Sequence, residues 1–170
     1  MKAVILAAAA LALCLAPPAS ASASASASAS ASASLGFFEL YGEGGVRIDL
    51  GKEAEKLLAQ LTPEVRAANR SLLTTETSSY YMFATNRTET CHYHPGETVS
   101  RQLLGGGQFY TDYSQPIPQN VGDSFVIPPK KAHAFDGALD GPSVVLVRWT
   151  PPYKEPYIIP TTGCRGLPSQ

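Results

Sequence analysis

Residues 122–133 read Gly-Asp-Ser-Phe-Val-Ile-Pro-Pro-Lys-Lys-Ala-His, and residues 91–97 read Cys-His-Tyr-His-Pro-Gly-Glu. These two stretches hold His92, His94 and His133, the only three histidines in 170 residues. Successive side chains on a strand point to opposite faces, so His92 and His94 aim two imidazoles at one point. A third imidazole arriving from a neighbouring strand would complete a metal site, and neutral imidazole is the commonest metal ligand in proteins. Gly122-Asp123 suits a tight turn into a short strand over 124–127. Pro128-Pro129 then ends that strand and stiffens the approach to His133.

Outward from these stretches the pattern is one of short β-rich runs. Strands are expected at 79–84, 90–94, 99–104, 108–113, 124–127, 133–136 and 143–149. Gly105-Gly-Gly107, Pro116-Ile-Pro118, Gly122, Pro128-Pro129 and residues 137–142 punctuate them. Many strands of this length separated by tight turns argue for an all-β sandwich or barrel. Upstream, 37–41 and 46–50 read as strands, and Val46, Ile48 and Leu50 alternate with Arg47 and Asp49. Residues 52–61 are helix-forming, and Thr62-Pro63 reads as the cap and first position of a second helix over 63–70. Together these form a short N-terminal helical appendage over 35–78, packed on a barrel over 79–152. The proline-rich tail, 153–170, is expected to wrap the barrel and cover edge strands.

With both motifs in this order, the chain resembles the cupin superfamily, whose first motif is a histidine pair, a glutamate and then a glycine. His92, His94, Glu97 and Gly106 stand at those places, and Gly122, Pro128 and His133 keep the spacing of the second motif. Lys130 stands where a glycine is usual. The resemblance covers roughly residues 80–152. It implies a double-stranded β-helix, the jelly-roll barrel, whose interior carries one divalent metal ion on three imidazoles and a carboxylate. Two alignments stand for that carboxylate. Glu97 fits if the motif is shortened by one residue, as in pirin-like cupins. Alternatively Val99 holds the place, leaving a three-histidine site as in the thiol and some aromatic-ring dioxygenase cupins. Fe, Mn, Ni, Cu and Zn all suit such a donor set.

The activity implied is metal-centred chemistry on a small organic molecule, with a dioxygenase as its most concrete form. A metal-dependent isomerase or lyase, and a non-catalytic ligand- or metal-binding module, are the alternatives. Such barrels often pair as homodimers. No general base is evident beside the histidines, and no catalytic residue is assigned. If His92 and His94 face inward, Cys91 and Tyr93 face outward. Where Val99 holds the glutamate position and faces inward, alternation turns Arg101 and Leu103 inward with it, and the planar fork of Arg101 would pair with a substrate carboxylate; the alternative is an exposed surface arginine. Phe109, Tyr110, Tyr113, Phe125, Phe135 and Trp149 read as barrel core.

The remaining features bound the setting. Met1-Lys2, an apolar run over 3–15 and Ala19-Ser20-Ala21 read as an export signal over 1–21. That run spans 13 residues, short of the roughly 18 to 20 a membrane-crossing helix needs. The expected location is therefore secreted or periplasmic. Alternating Ser and Ala over 22–34 read as a flexible spacer, because side chains this small bury too little surface to offset their ordering entropy. Setting Lys2 aside leaves 12 basic against 14 acidic residues, a balance that suggests neither nucleic acid nor an anionic membrane as partner. Cys91 and Cys164 follow the leader. Export permits a bridge between them, with two buried free thiols as the alternative. Asn69-Arg-Ser71 and Asn86-Arg-Thr88 are glycosylation sequons where a host supplies the machinery.

Overall fold

The computed structural model describes residues 39–168 apart from Gly42, Ser114 and Asp140. The leader expected over 1–21, the spacer over 22–34 and the start of the strand expected at 37 lie outside them. β1 (Glu39–Tyr41) and β2 (Arg47–Asp49) form an antiparallel hairpin. Asp49 then caps α1 (Leu50–Leu58), its carboxylate accepting the Lys52 N–H at 3.0 Å. Leu50, Ala54 and Leu57 lie at helical spacing and are buried, so α1 turns one apolar stripe to the sheet beneath it.

That sheet has five antiparallel strands in the order β3-β4-β11-β6-β9. They are β3 (Ala67–Thr74), β4 (Ser79–Thr85), β6 (Glu97–Leu104), β9 (Ser124–Ile127) and β11 (Ser143–Thr150). Its outer face buries Ala68, Met82, Ala84, Leu103 and Val144 against α1. The inner face presents Val145, Val147 and Trp149 to a second cluster with Phe109, Ile127, Phe135 and Tyr157.

β3 corrects the sequence reading of a second helix over 63–70. Thr62 caps only a local turn, with its hydroxyl accepting the N–H groups of Glu64 and Val65. The chain then pairs with β4 from Ala67 onward. The open edge of β4 supplies a ladder of backbone hydrogen bonds, and this tertiary pairing overrides the helical preference of the alanines. The barrel sheet therefore begins before residue 79.

Opposite it, β7 (Gly107–Tyr110) pairs with β8 (Ile117–Gln119) and β10 (Ala134–Asp136), and β5 (His92–Tyr93) with β12 (Ile159–Pro160). The two pieces join where His92 and His133 exchange both backbone hydrogen bonds, at 2.9 and 2.8 Å. The second sheet thus runs β12-β5-β10-β7-β8, and its seam is made by the two motifs. Cys91 and Cys164 form a disulfide that ties the tail to the start of β5. Among the described residues no helix is long and apolar enough to cross a membrane.

Candidate metal centre

The backbone pairing at the seam decides where the imidazoles go. His92 and His133 stand opposite each other on adjacent antiparallel segments, and His94 lies two residues along from His92. All three rings are buried, with centroids 4.4 to 4.9 Å apart. One ligand atom from each lies within 4.8 Å of the others.

Each ring is oriented by a backbone carbonyl. The Nδ1–H of His92 donates to the Thr90 carbonyl at 2.8 Å, that of His94 to Tyr157 at 3.0 Å, and that of His133 to Lys131 at 3.0 Å. A carbonyl is acceptor only, so these contacts place the proton on Nδ1 and leave the Nε2 lone pairs available to a metal. Burial holds the His94 imidazole down at about 4 and His133 at about 3, and the other imidazoles add to the effect. Both are therefore neutral at physiological pH, the state in which imidazole ligates a metal. The donor set fits a divalent transition ion held by His92, His94 and His133.

The other sequence candidates lie elsewhere. Glu97 sits at the start of β6 with its carboxylate on the outer face, accepting a hydrogen bond from Arg148 at 3.2 Å, and it is half-exposed. Arg101, Val99 and Leu103 share that outer face. Leu103 packs toward α1, Arg101 is exposed, and neither lines the cavity. Of the alternatives left open at these two positions, the outward Glu97 and the exposed Arg101 are the ones this arrangement matches. Placing Val99 at the glutamate position turned the odd-numbered residues of β6 inward, whereas the two-residue period counted on from His94 puts the even-numbered ones there. Thr98 and Ser100 face inward instead. Asn69 is exposed on β3, and Asn86 is partly buried, with its carbonyl accepting from Arg66.

The histidines open onto a cavity of about 60 Å³ inside the barrel. Phe83, Phe109, Phe135 and Trp149 supply apolar wall, and exposed Ile158 of the tail lines the cavity as well. One acid, Glu89, also lines it. The Glu89 backbone N–H donates to the Phe135 carbonyl at 2.8 Å, and its carboxylate accepts the Phe135 N–H at 3.3 Å, which pins it to β10. Burial pushes this carboxyl above the usual range, against the opposing pull of His92. The sequence reading missed Glu89 because strand parity carried back from His92 turns residue 89 away. The chain is irregular before β5, so parity does not apply there. An acid three residues ahead of the histidine pair was the available signal.

Lys130 adopts φ 63°, the left-handed conformation that glycine takes without cost. Its N–H donates to the His94 carbonyl at 2.7 Å, so the strained residue braces a ligand strand.

No protein-family model matches the chain, and no curated protein sequence does. Solved structures do resemble it. The DMSP lyase DddQ from Ruegeria pomeroyi DSS-3 is 23% identical over 54% of this chain, with a TM-score of 0.48, and the match spans 51% of that protein's length. An RmlC-like cupin from Desulfovibrio desulfuricans is 24% identical over 55% of this chain and 92% of its own, with a TM-score of 0.47. The polyketide cyclase RemF from Streptomyces resistomycificus is 16% identical over 57% and 72%, with a TM-score of 0.50. At such identities the likeness is one of fold. Two facing antiparallel sheets, joined by short turns and bearing the histidine motifs at their seam, give this chain the double-stranded β-helix fold that it shares with such structures.

Proposed function

We propose that this protein is an exported, metal-dependent enzyme that transforms a small organic molecule inside its barrel. One observation carries the reading: three buried imidazoles converge on a cavity, each oriented by a backbone carbonyl. A structural metal would be enclosed by protein donors, whereas three ligands leave positions for substrate. Bound there, a divalent ion supplies Lewis acidity or activates oxygen. Glu89 is the group placed to accept a proton from substrate and return it.

That carboxyl favours a lyase, isomerase or related non-redox step. The three-histidine donor set, with Glu97 turned outward, supports the dioxygenase as second reading. Elemental analysis of the purified protein tests the centre. About one equivalent of metal is expected in the wild type and a small fraction of that in His92→Ala and His133→Ala. Equal content in all three would remove the site. Oxygen uptake by metal-loaded protein with thiols, catechols and keto acids then separates the chemistries. Uptake supports the dioxygenase. Turnover without uptake, reduced about 10²- to 10⁴-fold in Glu89→Gln, supports the proton-transfer enzyme.

A further inference from the structure

Where it lines the histidine cavity, the inner face of the five-stranded sheet carries three unpartnered polar groups that the metal centre leaves without a role. Thr98 and Trp149 are directly opposed on β6 and β11, and Ser100 is two residues along β6 on the same face. They are 2, 3 and 2% exposed, respectively. Each lines the histidine cavity. The Thr98 Oγ1, the Ser100 Oγ and the Trp149 Nε1 find no hydrogen-bond partner among the described residues. Buried polar groups are almost always paired, and an unpaired one costs its full desolvation penalty. Three together on one wall of a cavity are what a site for a polar ligand requires.

Their chemistry specifies the ligand. The indole N–H only donates, so it needs an acceptor oxygen, whereas the two hydroxyls both donate and accept. Among the described residues no lysine or arginine lines the cavity, and its single charged-type side chain is the Glu89 carboxyl. Without a metal, a carboxylate or phosphate ligand would find no lysine or arginine lining this cavity to pair with. The volume of about 60 Å³ corresponds to roughly four or five waters, and the remaining wall is aromatic and aliphatic.

We infer that Thr98, Ser100 and Trp149 form a recognition wall for an uncharged, oxygen-bearing small molecule, such as a vicinal diol or hydroxy-carbonyl compound. This names the substrate class of the enzyme proposed above and rests on that reading for its catalytic meaning, though the binding itself does not require the metal. The wall also accounts for polar Thr98 and Ser100 on the inner face of β6, where neighbouring β11 presents Val145 and Val147.

Trp149 is the only tryptophan in the chain, so its fluorescence reports occupancy of this cavity directly. Propane-1,2-diol and lactate share a skeleton and differ in charge, and both can be titrated against the metal-free and the metal-loaded protein. The diol is expected to shift Trp149 emission saturably in the millimolar range, with lactate at least tenfold weaker on the metal-free protein. Thr98→Val and Ser100→Ala should each weaken the diol about three- to tenfold, with melting temperatures unchanged or higher, because each removes an unpaired buried hydroxyl. Lactate binding the metal-free protein as tightly as the diol, no saturable response to the diol, or unaltered affinity in both variants would overturn the inference. Elemental analysis of the same samples keeps the two claims apart. Absent metal with a Thr98-dependent diol response sinks the metal reading alone, and bound metal with variants indistinguishable from wild type sinks the recognition wall alone.

Discussion

A single backbone conformation at Lys130 links this chain's departure from the usual motif to its stability. A non-glycine residue at positive φ costs about 1 kcal/mol or more, partly offset by the greater chain entropy glycine brings to the unfolded state. Lys130→Gly is therefore expected to stabilise by about 0.5 to 1 kcal/mol in chemical denaturation, with metal content unchanged. A loss of stability would show that the lysine side chain contributes more than its backbone costs. Glu97→Gln likewise tests the outward placement of that carboxylate. Metal stoichiometry should equal wild type, and a drop would return Glu97 to the ligand set. The histidines set the acid response. His94 and His133 titrate in the unfolded chain near 6.5 but are held at about 4 and about 3 when folded. Their depressed values favour folding fully above pH 6.5, and this contribution is lost as pH falls toward 4 and 3. His94 alone accounts for about 3 kcal/mol of that loss. Glu89, raised by burial, pulls the opposite way as pH rises above the ordinary carboxylate range. The melting temperature of metal-free protein should fall steeply between pH 6 and 4, and His133→Ala should flatten that slope.

The tail is the element on which the site leans most. Tyr157 offers its carbonyl to His94, its ring packs 4.9 Å from Trp149, and β12 extends the sheet beside β5. The Cys91–Cys164 bridge fastens this tail one residue before His92. Cys164→Ser is expected to cost about 2 to 5 kcal/mol of stability and to weaken metal affinity, since loosening the tail frees the His94 ring to turn. Retention of wild-type affinity by competition with a chelator would confine the bridge to stability. Gly96, in the turn between β5 and β6, is crowded by the Thr150 carbonyl and the Tyr157 hydroxyl, which leave no space for a β-carbon. The need for glycine there follows from close approach, because the residue's own backbone is ordinary. The proline-rich run at 153–160 was legible as an extended wrap. Its partnership with a ligand histidine was not, since nothing local connects Tyr157 to His94 across 63 residues.

For the whole molecule, the architecture places a polar centre between two apolar layers. α1 seals the outer face of one sheet, and the aromatic cluster fills the space between the sheets. All three candidate ligands come from the seam of the second sheet, so a bound ion would clamp β5 to the segment preceding β10. Free metal at a hundredfold excess over its dissociation constant should add about 2.7 kcal/mol, a rise of roughly 8 to 12 °C in melting temperature for a domain of this size. Chelator should reverse the shift and His133→Ala abolish it. A melting temperature indifferent to metal would argue against ion binding in the folded state.

The sequence by itself determined which residues share a strand face, where most turns fall and which three imidazoles are available. These follow from the two-residue period of extended backbone and the fixed preferences of glycine and proline. Ser124–Ile127 was legible to the residue for that reason. The tertiary structure alone decided that the two-residue period runs on unbroken from His94 into β6, and so sent Glu97 and Arg101 outward and Thr98 and Ser100 inward. It also drew β3 out of a helix-forming segment, and set Glu89 and the Tyr157 carbonyl beside the histidines. Alternation is a local property of the chain. The choice of inner face is made by burial against distant strands, which no local pattern encodes.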